Sequence, residues 1–361
     1  MVVSSTAGSS LSLLAQAKSQ AAPPVDRDEE RLCGEIWGTD CSVLIGPPYW
    51  SHLGQDGHWH DLARGTNKLQ GRPPEVLALL AASTSPTIVT EVAGNPECPP
   101  ELLAEISPRW PAESDPGVNS YFISMSGNAV QAAVAGNPSC PVGLLRELSG
   151  SPGMHVRSSV ARNPATPVDV LAGFVKDPNR HVRAALASNL KCPPEILRRL
   201  GRSSALLVCG QVVNNPGCPP DVWADYGQSQ HANRRQLLAR SPHCPAALFG
   251  QLAADQDWQT RGHVARNDSC PADILERTAG DSDIRVKAYL AANPSCPPGT
   301  LVELSRLKSK TVARELAANR SCPPQLLERL LQHSDEQVRQ SAVTNPMLPQ
   351  HTLAMWQLTH G

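Results

Sequence analysis

The sequence predicts an all-α helical solenoid, and three observations predict it. A proline recurs every 26 residues, at Pro141, Pro167, Pro193, Pro219, Pro245, Pro271, Pro297, Pro323 and Pro349. Pro99 and Pro73 keep the same local context behind one longer step of 42 residues. Self-similarity at a fixed period of roughly 20–50 residues marks a repeat architecture, in which each unit buries its apolar face against its neighbours. Within each period the apolar residues fall into two clusters at helical spacing. Aromatic residues make up only 4 % of the 361, against 34 prolines. That balance suits short helices joined by proline turns better than a globular enzyme core.

The expected organisation runs in order along the chain. Residues 1–30 are rich in Ser, Ala and Gly and read as a disordered tail. No basic residue precedes Lys18 and the apolar stretch is weak, so no secretory signal is expected. No apolar run approaches the roughly 20 residues that span a bilayer. A cytoplasmic protein with reduced thiols and no membrane partner follows. Residues 31–68 do not repeat. They hold Trp37, Trp50 and Trp59 and read as a small cap over the apolar end of the array. Residues 69–361 form about eleven units.

Each unit can be numbered from the residue four before its constant proline. Asn takes position 1 in nine of the eleven units, Leu69 and Ser241 being the exceptions. The proline that usually follows disfavours helix at the Asn, whose side chain can bond backbone groups left open at the turn. The proline at position 5 starts the first helix, where its missing N–H costs nothing. Apolar residues at positions 8, 9 and 12, such as Ile196, Leu197 and Leu200, give that helix one buried face. A polar break follows. Positions 20, 24 and 25, such as Val286, Leu290 and Ala291, then give a second buried face. Helices of one to two turns are marginal alone, so stacking must hold them.

Position 4 is Cys in eight units: Cys98, Cys140, Cys192, Cys218, Cys244, Cys270, Cys296 and Cys322. Packed helices lie about 8–10 Å apart, whereas a disulfide needs Cα atoms within about 7 Å. The column therefore reads as small buried side chains rather than a redox or metal array.

The unit N-P-x-C-P-P-x-x-L-x-x-L, followed by V-R-x-x-V/L-A, resembles the leucine-rich repeat variant family over residues 69–361. The resemblance implies a right-handed superhelix of alternating α and 3₁₀ segments. The unit here is slightly longer than that family's usual repeat, which points to a fuller, HEAT-like second helix. Some members carry an iron–sulfur cluster on a cysteine-rich N-terminal segment. Only Cys33 and Cys41 precede the repeats here, and a cluster usually takes four thiolates, so none is carried over.

Three places can carry function. Position 21 is basic in six units, at Arg157, Arg183, Arg235, Arg261, Lys287 and Arg339. A residue at one point of successive repeats forms a line. That line is either a stripe for an acidic partner or nucleic acid, or a ladder to carboxylates such as Asp177, Asp255 and Asp281. It breaks at Val89, Cys209 and Ala313. The second place is the insert at about residues 107–122, with Trp110, Tyr121 and Phe122, because insertions in repeat arrays map to surface loops. The third is Cys33, Cys41, His58 and His60, which could supply a mixed tetrahedral zinc site but lack the usual paired-cysteine spacing. No cofactor is expected. The net charge is −1, split as −4 over residues 1–66 and +3 beyond, so no general field draws nucleic acid.

No phosphate-binding Gly-rich loop, nucleophile elbow or HExxH pair occurs. The expected function is a non-enzymatic scaffold that binds a protein partner through the solenoid face and the insert. One alternative is a nucleic-acid-binding helical-repeat protein, including a repair enzyme in which Trp223, Trp258 and Asp257 would serve. A metal-bearing N-terminal module with a repeat tail is another.

Overall fold

The computed structural model describes residues 74–111 and 127–360. The described residues form 21 α-helices and one 3₁₀ turn, with no strand among them. The helices alternate between first and second members of each unit, so odd numbers mark first helices and even numbers second helices. Helices α1 Pro74–Ala81, α2 Pro86–Gly94, α3 Pro100–Arg109, α4 Gly127–Gly136, α5 Val142–Leu148, α6 Met154–Arg162, α7 Val168–Gly173 and α8 Arg180–Ser188 lie in one compact unit, Met1–Lys191. The second, Cys192–Gly361, holds α9 Pro194–Gly201, α10 Leu206–Val213, α11 Pro220–Gly227, α12 Ala232–Ala239, α13 Ala246–Ala253 and α14 Trp258–Arg266. It continues through α15 Ala272–Thr278, α16 Ile284–Ala292, α17 Pro298–Leu304, α18 Lys310–Ala318, α19 Pro324–Leu330, α20 Glu336–Val343 and α21 Gln350–His360.

In each compact unit the even-numbered helices pack in series, α2 on α4, α4 on α6 and α6 on α8 in the first, and α10 through α20 in the second. This is the local organisation of a helical solenoid. Both members of every described repeat are α-helical. The single 3₁₀ helix, Phe174–Lys176, merely prolongs α7. The alternating 3₁₀ segments implied by the family resemblance are therefore absent among the described residues, and the second helices run 8 to 10 residues. The longer period supplies the residues for a complete second helix.

The core follows the pattern read from the sequence. Positions 8, 9 and 12 bury Leu102, Leu103 and Ile106 in α3 and Leu326, Leu327 and Leu330 in α19. Positions 20, 24 and 25 bury Val182, Leu186 and Ala187 in α8 and Val312, Leu316 and Ala317 in α18. From Pro99 to Pro323 the constant proline is the N-cap of its first helix, with φ near −60° and ψ near 140°. Position 17 caps the second helix, where Asn179, Asp257, Asp283, Ser309 and Asp335 accept first-turn amides.

A ladder of asparagine amides ties the repeats together. Asn293 Nδ2 donates to the carbonyls of Ala265 (2.8 Å) and Asn267 (3.2 Å), while its Oδ1 accepts from Ser295 N (2.7 Å). Asn137, Asn163, Asn189, Asn267, Asn319 and Asn345 each donate in the same way to the preceding repeat. One acceptor is a carbonyl near the end of the previous second helix, a group that a helix terminus leaves without a partner. Ser241 reaches Val213 O from the same position at 2.8 Å. Asn137 bonds Asn95 O across the insert, 42 residues away, so the extra residues leave the ladder intact.

Asn293→Ala would leave the buried Ala265 carbonyl and the Ser295 amide without these partners, each costing roughly 1–3 kcal/mol, and would leave the Asn267 carbonyl with the Cys270 amide alone. Chemical denaturation is expected to show a loss of about 3 kcal/mol, well above that for Thr311→Ala on the exposed side of α18.

Candidate binding face

The position-21 residues are placed by the second helices, one helical turn after the cap. Arg261 Nε donates to Asp281 Oδ2 at 2.6 Å and its second terminal nitrogen to Oδ1 at 3.1 Å, a bidentate pair between adjacent repeats. Its remaining nitrogen donates to the carbonyls of Asp255 and Gln256 in the turn of its own repeat. Arg235 makes the same contacts with Asp255 and Ser229 O, and Arg157 with Asp177, Ser151 O and Pro152 O. In these pairs the arginine side chains are only 10–16 % exposed and the aspartates 6–8 %. Arg183 and Arg339 bond the two turn carbonyls of their own repeats. Lys287, at the same position, is half-buried.

At two of the three breaks in the stripe the turn carbonyl at position 15 finds another donor. Where position 21 is Cys209, its thiol donates to Ser203 O at 3.1 Å and Arg234 adds a second bond at 3.2 Å. Where it is Val89, Arg109 from the next repeat reaches Ser83 O, together with Ala81 O and Ala82 O. Sequence pattern alone missed Arg109 and Arg234, because they come from other positions of the repeat.

Burial pushes the Asp281 carboxyl up, but the Arg261 guanidinium and the Asp283 amide outweigh it and hold its pKa below the ordinary value. Asp283 is held at about 2 by hydrogen bonds from the Arg285 side chain and amide. The cysteine column is buried and its thiols free. Burial pushes them up to about 12, or about 11 at Cys140, so they stay protonated at neutral pH. Among the described residues no group of three or more His, Cys, Asp or Glu could hold a metal ion. Cys33, Cys41, His58 and His60 lie outside the described residues, as do Tyr121 and Phe122. Trp110 closes α3 and is half-buried. No described helix is long and apolar enough to cross a membrane.

The outward side of the second helices is composed differently. Position 19 presents His155, His181, Leu207, Asn233, Gln259, Arg285, Thr311 and Gln337, all but the half-buried His155 exposed. Position 26 presents Arg162, Asn214, Arg240, Arg266, Ala318 and Thr344, all exposed. On α14 and α16, Trp258 stacks near Tyr289 with ring centroids 6.5 Å apart, and the Arg285 guanidinium lies 3.5 Å from the Trp258 ring centre. A Cβ at Gly262 would come within 2.8 Å of the Tyr289 ring, so the glycine gives that ring its seat. Trp223 is half-buried and donates to Val213 O, and Asp257 is a helix cap.

No protein-family model matches the chain, and no curated protein does. Among solved structures it is similar to "a leucine-rich repeat variant with a novel repetitive protein structural motif". That structure is 20 % identical and superposes with a TM-score of 0.41 over 64 % of this chain and 88 % of its own.

Two outcomes check the arginine ladder. Arg261→Met strands Asp281 without its guanidinium, and denaturation is expected to show a loss of about 3 kcal/mol, the scale for breaking a buried pair. A carboxyl whose folded pKa is depressed contributes stability in full above its unfolded value near 3.9 and loses it as pH falls through the folded value. Stability of the native chain should therefore fall below about pH 4, and Asp281→Asn should make that fall shallower.

Proposed function

We propose that the chain is a non-enzymatic scaffold that binds a protein partner through the outward face of its second helices. One observation carries this reading: the buried positions repeat and the outward positions do not. Position 24 reads Val160, Leu186, Val212, Leu238, Val264, Leu290 and Leu316, all buried aliphatics. Position 19, on the same helices, runs through imidazole, aliphatic, amide, guanidinium and hydroxyl groups. A framework held constant beneath a face whose side chains vary along the array suits recognition of one particular surface, since extended repeat surfaces serve as binding faces. Trp110 and the insert that follows it belong to the same proposal as a second contact.

The nucleic-acid alternative draws on the position-21 residues. Arg157, Arg235 and Arg261 are neutralised by carboxylates and largely buried, which supports the protein reading over a phosphate-binding stripe. Binding to duplex DNA with a steep salt dependence would reverse that preference.

Capture of a partner from native extract, with nuclease present, tests the proposal. The intact chain is expected to retain a protein that Leu207→Asp and Arg285→Glu forms lose while melting within a few degrees of the parent. Capture unaffected by these changes but lost on deleting residues 1–68 would contradict it.

A further inference from the structure

The compact unit Cys192–Gly361 carries a groove across α10, α12 and α14 lined by Leu206, Leu207, Asn233, Leu237, Arg240 and His263. Its volume is about 250 Å³, room for one or two side chains. Leu206 and Leu207 are 45 % and 41 % exposed, a pair of adjacent leucines left open to water. Leu237 and Arg240 come together over Gly210, where a Cβ would stand 3.4 Å from Leu237 Cδ2 and 3.9 Å from an Arg240 terminal nitrogen. Apolar surface thus sits directly beside a guanidinium.

Two cations beside the groove have no carboxylate partner. Arg240 and Arg266 are exposed at position 26, and neither is among the ion pairs of the described residues, though the Arg266 guanidinium lies 5.8 Å from the Tyr289 ring centre. His263 lies between them, half-buried. Burial first, then Arg240 and Arg266, lower its pKa against the opposing pull of Asp257. Asp257 is the anionic neighbour; its donors are neutral and leave its charge in place, one of them being Gln236 of the groove lining. Asp257 accepts from Gln259 N, Thr260 N, Thr260 Oγ1 and Gln236 Nε2. Asp283 is paired with Arg285. On α12, Arg234 is held over the Tyr226 ring and bonded to Ser203 O.

We propose that this groove binds an extended acidic peptide of a partner protein. An aliphatic side chain sits between Leu206, Leu207 and Leu237 beside a carboxylate on Arg240, and a second carboxylate meets Arg266. The inference rests on the scaffold reading and names the partner's chemistry. Adjacent packed helices lie about 8–10 Å apart and an extended chain advances about 3.3 Å per residue, so the two acidic residues stand two or three positions apart. A peptide fits better than a nucleic acid. Two guanidiniums without a carboxylate partner are few against a duplex with one charge every ~1.7 Å. Base stacking needs an open ring face, whereas Trp258 is covered by Arg285 and packs beside Tyr289.

The test is selection of a random 12-residue peptide library on the full-length protein, followed by fluorescence anisotropy of the enriched peptides. Enrichment of sequences with Leu or Ile beside Asp or Glu, and a second acid two or three residues on, is expected. Affinity should fall at least tenfold for Arg240→Glu with Arg266→Glu, and again for Leu207→Ser, with melting temperature held. If the double reversal does not fold, Arg240→Gln with Arg266→Gln takes its place and should still weaken binding several-fold. Enrichment of neutral or basic peptides, or no enrichment, would overturn the inference. So would acidic peptides indifferent to these substitutions, or a single-stranded oligonucleotide of equal charge that competes as well. Peptides of other chemistry lost with Leu207→Ser would overturn the acidic-peptide assignment alone and leave the scaffold standing.

Discussion

The asparagine amide at the head of each repeat is the interaction on which the rest depends. A short helix pair cannot close its own backbone bonds: its second helix ends in carbonyls that water must otherwise meet, and the proline that starts the next helix donates nothing. One primary amide resolves both. Its nitrogen joins two carbonyls of the preceding repeat, and its oxygen folds the local turn, as at Asn319, Asn293 and Ser321. The group is buried, so each bond forms away from competing water, where an unmade bond is costly. Translation of one repeat against the next would break every rung it touches.

The position-21 guanidinium performs the same service at the other turn. It closes the carbonyls of positions 15 and 16 with one nitrogen and grips the next repeat's carboxylate with the others. That carboxylate also accepts the amide two residues on, as Asp281 does from Asp283 N. Two polar ladders therefore fix the spacing of successive helix pairs, with the Leu and Ala core between them. Because these ladders lie inside, the outer side of the second helices is released from structural duty. Its variety from repeat to repeat is the physical reason to seek partner recognition there.

Much of this was legible in the sequence because a period averages over noise. Eleven aligned prolines place every first helix, and the apolar triplets place both buried faces. The cysteine column could be read as packing from its unfilled slots at Arg72, Thr166 and Leu348. The local role of asparagine was legible too, but not its reach into the preceding repeat, since spacing does not reveal which carbonyl a side chain meets in three dimensions. The same limit hid Arg109 and Arg234, which serve turn carbonyls from positions the repeat does not mark. The basic stripe was visible, and structure was needed to see Arg157, Arg235 and Arg261 turned to the aspartates. The groove beside Arg240 carried no sequence signal, because it arises from differences between repeats rather than likeness.

Site saturation of one whole repeat, Asn267–Ala292, read by protease resistance, tests the central claim most directly. The account predicts that position 1 accepts almost nothing but asparagine, with serine the mildest change, and that positions 9, 20 and 24 accept only aliphatics. Position 19 should accept nearly every residue. A position 1 that tolerates alanine, aspartate and leucine as readily as position 19 does would contradict it, and the apolar core alone would then hold the stack.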